Sequence, residues 1–198
     1  VSSGIRKRRL VTALVSVSAT NISGDGQADL SVHGGTDKAV YVYPADHWTW
    51  WREQHGFVGC PAAFGENLTV QGADEHSIRI GDRFAWGNDV VLEVSQPRAP
   101  CFKLALLTGR PEIATHMTAS GKTGWYCRVV REGVAPTTGR IERLASDGVM
   151  PTVHEAFAAI FHPRVRSDLV QRVLETPSLA EIWREGLRKR LRAGGHQA

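Results

Sequence analysis

The sequence predicts a mixed α/β, β-rich fold. It reads as a barrel-like or sandwich domain with inserted helices over residues 1–148, then a small three-helix appendage over 149–198. Three observations predict this. Short β-branched and aromatic runs recur through residues 10–145, separated by Gly, Pro and Asn turns, the pattern of many short strands. Hydrophobic residues make up 42% and charged residues 22%, so 198 residues can close an ordinary globular core. After Met150-Pro151 the apolar spacing changes to that of amphipathic helices.

Residues 10–18 alternate β-branched and small residues and read as a first strand, with a turn at 21–26. Leu30-Ser31-Val32-His33-Gly34-Gly35 reads as a short extended segment and a tight turn, and Lys38 to Tyr43 as a strand. Pro44 to Arg52 reads as the start of a helix with proline near its first turn, its three tryptophans packing against the core. Gly56 to Ala63 is a loop holding Cys60, read as structural. Ile78 to Phe84 suggests strand, turn and strand, and Val90 to Ser95 a further strand. Residues 102–117 read as helix interrupted at Gly109-Arg110-Pro111. Residues 120–126 form a glycine-rich loop entering a strand that ends at Val130 and carries Cys127 in the core pattern. Glu132-Gly133-Val134 and Thr138 to Ile141 read as a last hairpin. Thr152 with Glu155 forms a capping box, a second helix covers 165–174, and Ser178 with Glu181 caps a third.

Net charge is only +4, and much of the basic excess sits near the two ends, which argues against a nucleic-acid footprint. No apolar run approaches the roughly 20 residues of a membrane span. Three cysteines without a CxxC spacing exclude a zinc-knuckle or redox-disulfide motif, and about four thiolates are needed for an all-cysteine iron–sulfur cluster. A reducing cytoplasm is the expected compartment.

The chemistry concentrates in Gln96-Pro97-Arg98-Ala99-Pro100-Cys101-Phe102-Lys103. Two prolines stiffen the loop that delivers Cys101, and basic neighbours favour a thiolate, the form that binds a metal or attacks an electrophile. A buried structural cysteine is the alternative. Glu66, in Phe64-Gly65-Glu66-Asn67-Leu68, reads either as a general acid or base or as a carboxylate capping its turn. Gly121-Lys122-Thr123-Gly124 imitates a nucleotide loop, but His116 stands where a P-loop needs glycine and a strand follows instead of a helix. What remains is a loop with free N–H groups, a lysine and a threonine, suited to an anion, or else a structural turn.

Together these motifs resemble the MOSC domain family, which shares the C-terminal domain of molybdenum cofactor sulfurases, and within it the stand-alone bacterial branch. The residues that carry the resemblance are Gly24 to Asp29, His33-Gly34-Gly35, Lys38 to Tyr41, Phe64 to Leu68, Ile80-Gly81-Asp82, Gln96 to Cys101 and Gly121 to Tyr126, in family order. The helical tail through Trp183-Arg184 resembles the small helical domain of that branch. Gly139-Arg140 departs from a frequent Gly-Asp.

The resemblance implies a barrel-like fold and a pterin-bound molybdenum ligated by Cys101. It also implies reduction of N-hydroxylated compounds, such as hydroxylaminopurines or amidoximes, to amines. His33 and Glu66 are then expected beside Cys101 as catalytic residues. Lys38, Tyr41, Asn67, Arg98, Lys103, Lys122, Thr123 and Gly124 are expected to contact the cofactor. Electrons would come from a separate reductase, with no nucleic-acid or membrane partner, in a monomer or homodimer. The alternative function is a sulfur carrier or cofactor-handling module using a Cys101 persulfide, and the helices could serve as a docking appendage.

Overall fold

A computed structural model describes residue 7, residues 10–25 and residues 35–194. His33 and Gly34 lie outside the described residues. The sheet is curled into half a barrel, with strand order β3-β2-β6-β5-β4-β8. Its strands are β2 (Val40–Pro44), β3 (Leu68–Val70), β4 (Arg83–Trp86), β5 (Val90–Pro97), β6 (Trp125–Arg131) and β8 (Ile141–Ala145). Only β2 and β3 run parallel; the other neighbours are antiparallel. A second, two-stranded sheet pairs β1 (Leu14–Val17) with β7 (Gly133–Pro136). The chain is therefore the expected mixed α/β, barrel-like fold with helices at its C-terminus.

β2 shows why the sheet has two cores. Every residue of it is buried, and side chains alternate across a strand. Val40 and Val42 join a cluster with Leu92, Val94, Trp125 and Cys127. Tyr41 and Tyr43 join a second cluster with Trp51, Phe64, Leu104, Ile113 and Met117. The second face is covered by α1 (His47–His55), α2 (Lys103–Thr108) and α3 (Ile113–Ser120). Of the three tryptophans, Trp51 is fully buried and donates its indole N–H to the Tyr43 hydroxyl at 2.6 Å.

The first face is shared with α4 (Val153–Phe161), α5 (Ser167–Leu174) and α6 (Glu181–Gly194). Phe157, Trp183 and Leu187 sit in the same cluster as Val94 and Trp125, so these helices share the sheet's core. Backbone bonds fasten them too: Val153 N–H donates to Ile78 at 2.8 Å and Ala180 N–H to Ser95 at 3.0 Å. None of the described helices is long and apolar enough to cross a membrane.

Several local expectations change. The hairpin expected over 132–141 is absent: β7 pairs with β1 and β8 with β4, with Thr137 N–H bonded to Ala13. Pro44 ends β2 instead of opening α1, because its neighbour Ala45 donates to Val70 across the parallel pair. Ser178 does not cap α6; the 178–180 segment is drawn onto β5 and Arg128, and the helix begins at Glu181. Residues 78–82 form a turn braced on Pro151 and Val94, not a strand. Cys60 is exposed, not structural, whereas Cys127 is buried as expected.

The capping box at α4 is present in both directions: Glu155 N–H donates to Thr152 Oγ1 at 3.1 Å, and Thr152 N–H to Glu155 Oε2 at 2.8 Å. Burial pushes the Glu155 carboxyl up, but the Thr152 N–H and Arg172 outweigh it and hold it below the usual range. Its stabilisation is therefore present above the ordinary glutamate value of about 4.3 and is lost as pH falls through the lower folded value. Thr152→Ala is expected to cost about 1 kcal/mol in urea unfolding at neutral pH. Glu155→Gln is expected to lose the pH-dependent part, so its deficit against the parent should narrow on acidification below that range, whereas the Thr152→Ala deficit should not.

Candidate functional site

The site forms where β5 ends. Arg98 N–H donates to Gly124 O at 3.1 Å, so the Pro-Arg-Ala-Pro-Cys loop leaves the sheet against the Gly121–Gly124 turn. Cys101 is half-buried at the entry to α2 and its carbonyl accepts from Leu104. Arg98 is 4% exposed, with its guanidinium 5.1 Å above the Tyr41 ring and Nη1 3.2 Å from Met117 Sδ. Burial pushes this guanidinium down, but Tyr41, Tyr126 and Cys101 outweigh it and keep it charged. Among the described residues no carboxylate is ion-paired with it.

Burial raises the Tyr41 phenol well above its ordinary value, with Arg98 pulling the other way, and raises Tyr126 for the same reason. Both are neutral phenols at physiological pH. Tyr41 donates to Thr123 O at 2.8 Å, and its ring lies 5.2 Å from that of Tyr126. Asn67 holds β2 at this level: its Oδ1 accepts from Tyr41 N–H at 2.9 Å, and its Nδ2 donates to Asp25 at 2.7 Å. Gly124 lies at φ +68°, and a Cβ there would meet Val42 O at 2.3 Å and Tyr41 at 3.0 Å. Only glycine lets the turn approach β2 so closely.

The Gly121–Gly124 turn differs from its expectation of free N–H groups. Gly121 donates to Met117 O, Lys122 to Ser120 Oγ, Thr123 to Gly121 O and Gly124 to Glu75 Oε1. The buried Thr123 hydroxyl donates to Gly124 O. The turn therefore offers an anion the Lys122 ammonium, with its backbone donors engaged inside the fold.

Glu66 is buried and also fully engaged. Its carboxylate accepts from Ala62 N–H at 2.7 Å, Phe64 N–H at 3.0 Å and Thr69 Oγ1 at 3.1 Å. Burial raises its carboxyl, opposed by those same donors. This is the turn-capping alternative of the two read from the sequence. Lys38 sits half-buried on the 3-10 turn before β2, its ammonium lowered by burial against the pull of Asp37. Lys103 opens α2 beside Cys101 in sequence, half-buried.

Five side chains at the site were missed in the sequence. Tyr126, Met117 and Gln96 line the same end of β5 and β6, and among the described residues no donor reaches the buried Gln96 Oε1. The other two, His47 and Glu75, pair at 2.7 Å across 28 residues. Nothing in the polar run Asp74-Glu75-His76 distinguished Glu75 from a surface carboxylate, yet it is 2% exposed. A lone histidine opening a tryptophan-rich helix gave no signal either.

The donor set can be tested against a pterin-held metal. Cys101 is one soft donor. Among the described residues no cluster of three or more His, Cys, Asp or Glu can chelate a metal. Among the described residues, Cys101 is therefore the side chain that could ligate such a metal. An anionic group fits the unpaired Arg98, and a heterocyclic N–H fits Gln96 Oε1. The residues present fit such a group.

A curled half-barrel sheet with helices on both faces, and a loop-borne cysteine beside a buried arginine, defines a β-rich mixed α/β domain. Residues 29–142 match the MOSC domain, and 151–194 match the YiiM-like 3-alpha helix domain. The chain belongs to the MOSC domain family. It is 40% identical over 193 residues to the uncharacterized protein YflK of Bacillus subtilis, covering 96% of this chain and 85% of that one. The crystal structure of YiiM from Geobacillus stearothermophilus superposes with a TM-score of 0.82 at 30% identity, over 95% of this chain and 89% of that one. A protein of Gibberella moniliformis named a reductase is 40% identical over 122 residues, 59% of this chain but 21% of that protein.

The engagement of Glu66 gives a direct expectation. Glu66→Ala strands two backbone donors, one of them on the fully buried Phe64, and should cost about 2–4 kcal/mol in denaturant unfolding. Glu66→Gln, which keeps an acceptor, should cost clearly less. Equal losses would mean that the caps do not matter.

Proposed function

We propose that this chain is a molybdenum-dependent oxidoreductase in which Cys101 anchors a pterin-bound molybdenum. Its substrates are N-hydroxylated compounds of the hydroxylaminopurine or amidoxime type, reduced to amines. The observation that carries the reading is a buried guanidinium, Arg98, without a carboxylate partner among the described residues, three residues before the prolyl-held thiol of Cys101. A buried charge without compensation costs several kcal/mol, and an anionic prosthetic group offsets that cost. Membership of the MOSC family and the name of the fungal relative support redox chemistry at this site.

When bound, a molybdenum pterin supplies two-electron oxygen-atom abstraction from N–OH; the balance is one amine and one water for two electrons and two protons. The chain does the rest. Cys101 contributes the thiolate ligand, and the flanking prolines fix where it points. Arg98 neutralises anionic charge in a water-poor setting, where such contacts are strong. Gln96 Oε1 accepts from a ring N–H. The neutral hydroxyl of the half-buried Tyr126, beside Arg98, holds a proton close to the cysteine. Glu66 and Asn67 act at one remove, by fixing the loop and the β2 backbone under Tyr41. Electrons come from a separate reductase in the cytoplasm.

Purified from a molybdenum-competent host, the chain should carry stoichiometric molybdenum and pterin and reduce an N-hydroxylated substrate when given a chemical electron donor. Cys101→Ser should lose the metal and bring that activity below detection, while Cys60→Ser keeps both. A metal-free chain carrying cyanide-labile sulfur on Cys101 would contradict the proposal and establish the persulfide carrier instead.

A further inference from the structure

We infer that Glu75 and His47 are positioning residues for the Lys122 ammonium, and that this ammonium anchors a phosphate monoester, the one carried by the pterin. The inference rests on the proposed pterin site and goes beyond it by assigning a buried dyad that the reaction itself does not use.

The dyad lies beneath the Gly121–Gly124 turn. Glu75 is 2% and His47 5% exposed. Glu75 Oε2 is 2.7 Å from His47 Nε2, and Glu75 Oε1 accepts from Gly124 N–H at 2.6 Å. One carboxylate therefore grips both the backbone of the turn and the imidazole. The carboxylate can only accept, so Nε2 carries the proton and Nδ1 presents its lone pair. Nδ1 faces Lys122 Nζ at 3.5 Å, and an ammonium can only donate. The polarity of the chain Glu75, His47, Lys122 is thus fixed from the buried end outward.

The ammonium is held at a second point by the face of Trp50, 5.5 Å from its ring centroid. Tyr43 Oη donates to the carbonyl of Lys122 at 3.3 Å, fixing the backbone that carries it. Among the described residues no carboxylate is ion-paired with Lys122. A half-buried cation is thereby steered by the ring nitrogen of an imidazole and the face of an indole. The turn's backbone N–H groups are all engaged within the protein, so an anion arriving there meets this ammonium. Gly124, which Glu75 grips, is also the residue whose carbonyl holds Arg98 N–H. One turn therefore joins two cations, and a ligand carrying separated negative groups suits both.

The same phosphate chemistry could come from the pterin or from a nucleotide substrate, and the experiment separates them. Wild-type and variant chains are loaded in a molybdenum-competent host and dialysed, and pterin per chain is followed by fluorescence after oxidation. Lys122→Gln should lose pterin about tenfold faster than wild type, the effect of removing one charged hydrogen bond. Lys122→Arg should restore most of the retention. His47→Gln, which keeps a donor toward Glu75 but loses the ring acceptor, should speed the loss in the wild-type background and add nothing to Lys122→Gln. Glu75→Gln serves the same cycle if His47→Gln melts early. Retention unchanged in Lys122→Gln overturns the inference, as does a His47→Gln effect that adds fully to it. Unchanged retention with a raised KM for a nucleotide over its free base also overturns it, giving the ammonium to the substrate's phosphate. A wild-type chain that never carries pterin is a different failure, because it removes the proposed function beneath the inference.

Discussion

A charged guanidinium buried at the end of a strand sets the terms for the rest of this molecule. Arg98 cannot ionise away its charge, and burial without a partner is expensive. The fold answers with weak, distributed contacts: the Tyr41 ring below, Met117 sulfur beside it, and the Tyr126 hydroxyl and Cys101 thiol near enough to favour the charge. Neither phenol is an anion at neutral pH, since both are pushed up by burial. The structure keeps a positive charge in a low-dielectric setting next to a soft metal donor, and that combination gives the site its character.

Much of the surrounding architecture can be understood as holding that corner still. The second core, with Tyr41, Tyr43, Trp51, Phe64 and Met117, backs the face of the sheet from which Arg98 emerges. Glu66 ties the Ala62–Phe64 turn and Asn67 ties β2, so Tyr41 is fixed from both sides. The C-terminal helices reach the same corner from the opposite face. His154 N–H donates to Glu75 O at 2.8 Å, and its ring lies against Gly121, where a Cβ would meet Nδ1 at 3.2 Å. The segment that carries Glu75 and the turn that carries Lys122 are therefore both braced by α4. This gives the helices a physical connection to the site.

What could be read from sequence was what is local. The proline-bracketed Cys101 loop, the break between α2 and α3 at Gly109, and the Thr152–Glu155 capping box depend on residues a few positions apart, and all three are present. The buried strand at β2 was visible as an apolar run, although its two faces were not separable. What failed was pairing. β1 finds β7 and β8 finds β4 through register choices made far along the chain, so the last hairpin was misplaced. The same limit hid His47 and Glu75, and it made the Gly121–Gly124 turn look open, since its N–H partners include Glu75, 49 residues away. Composition cannot show that a loop's donors are already engaged.

A Cys101 sulfur that ligates a metal is shielded from alkylation, and its reactivity reports the ligation. Native protein from molybdenum-replete and molybdenum-deficient cells would be treated with iodoacetamide and each cysteine followed by peptide mass spectrometry. Cys60 is exposed and serves as the internal reference, while Cys127 is buried and its thiol is pushed up by burial. Cys101 should be protected in the replete protein and labelled in the deficient one, with Cys60 labelled alike in both. Equal labelling of Cys101 in the two, with pterin present in the replete sample, would contradict the ligation.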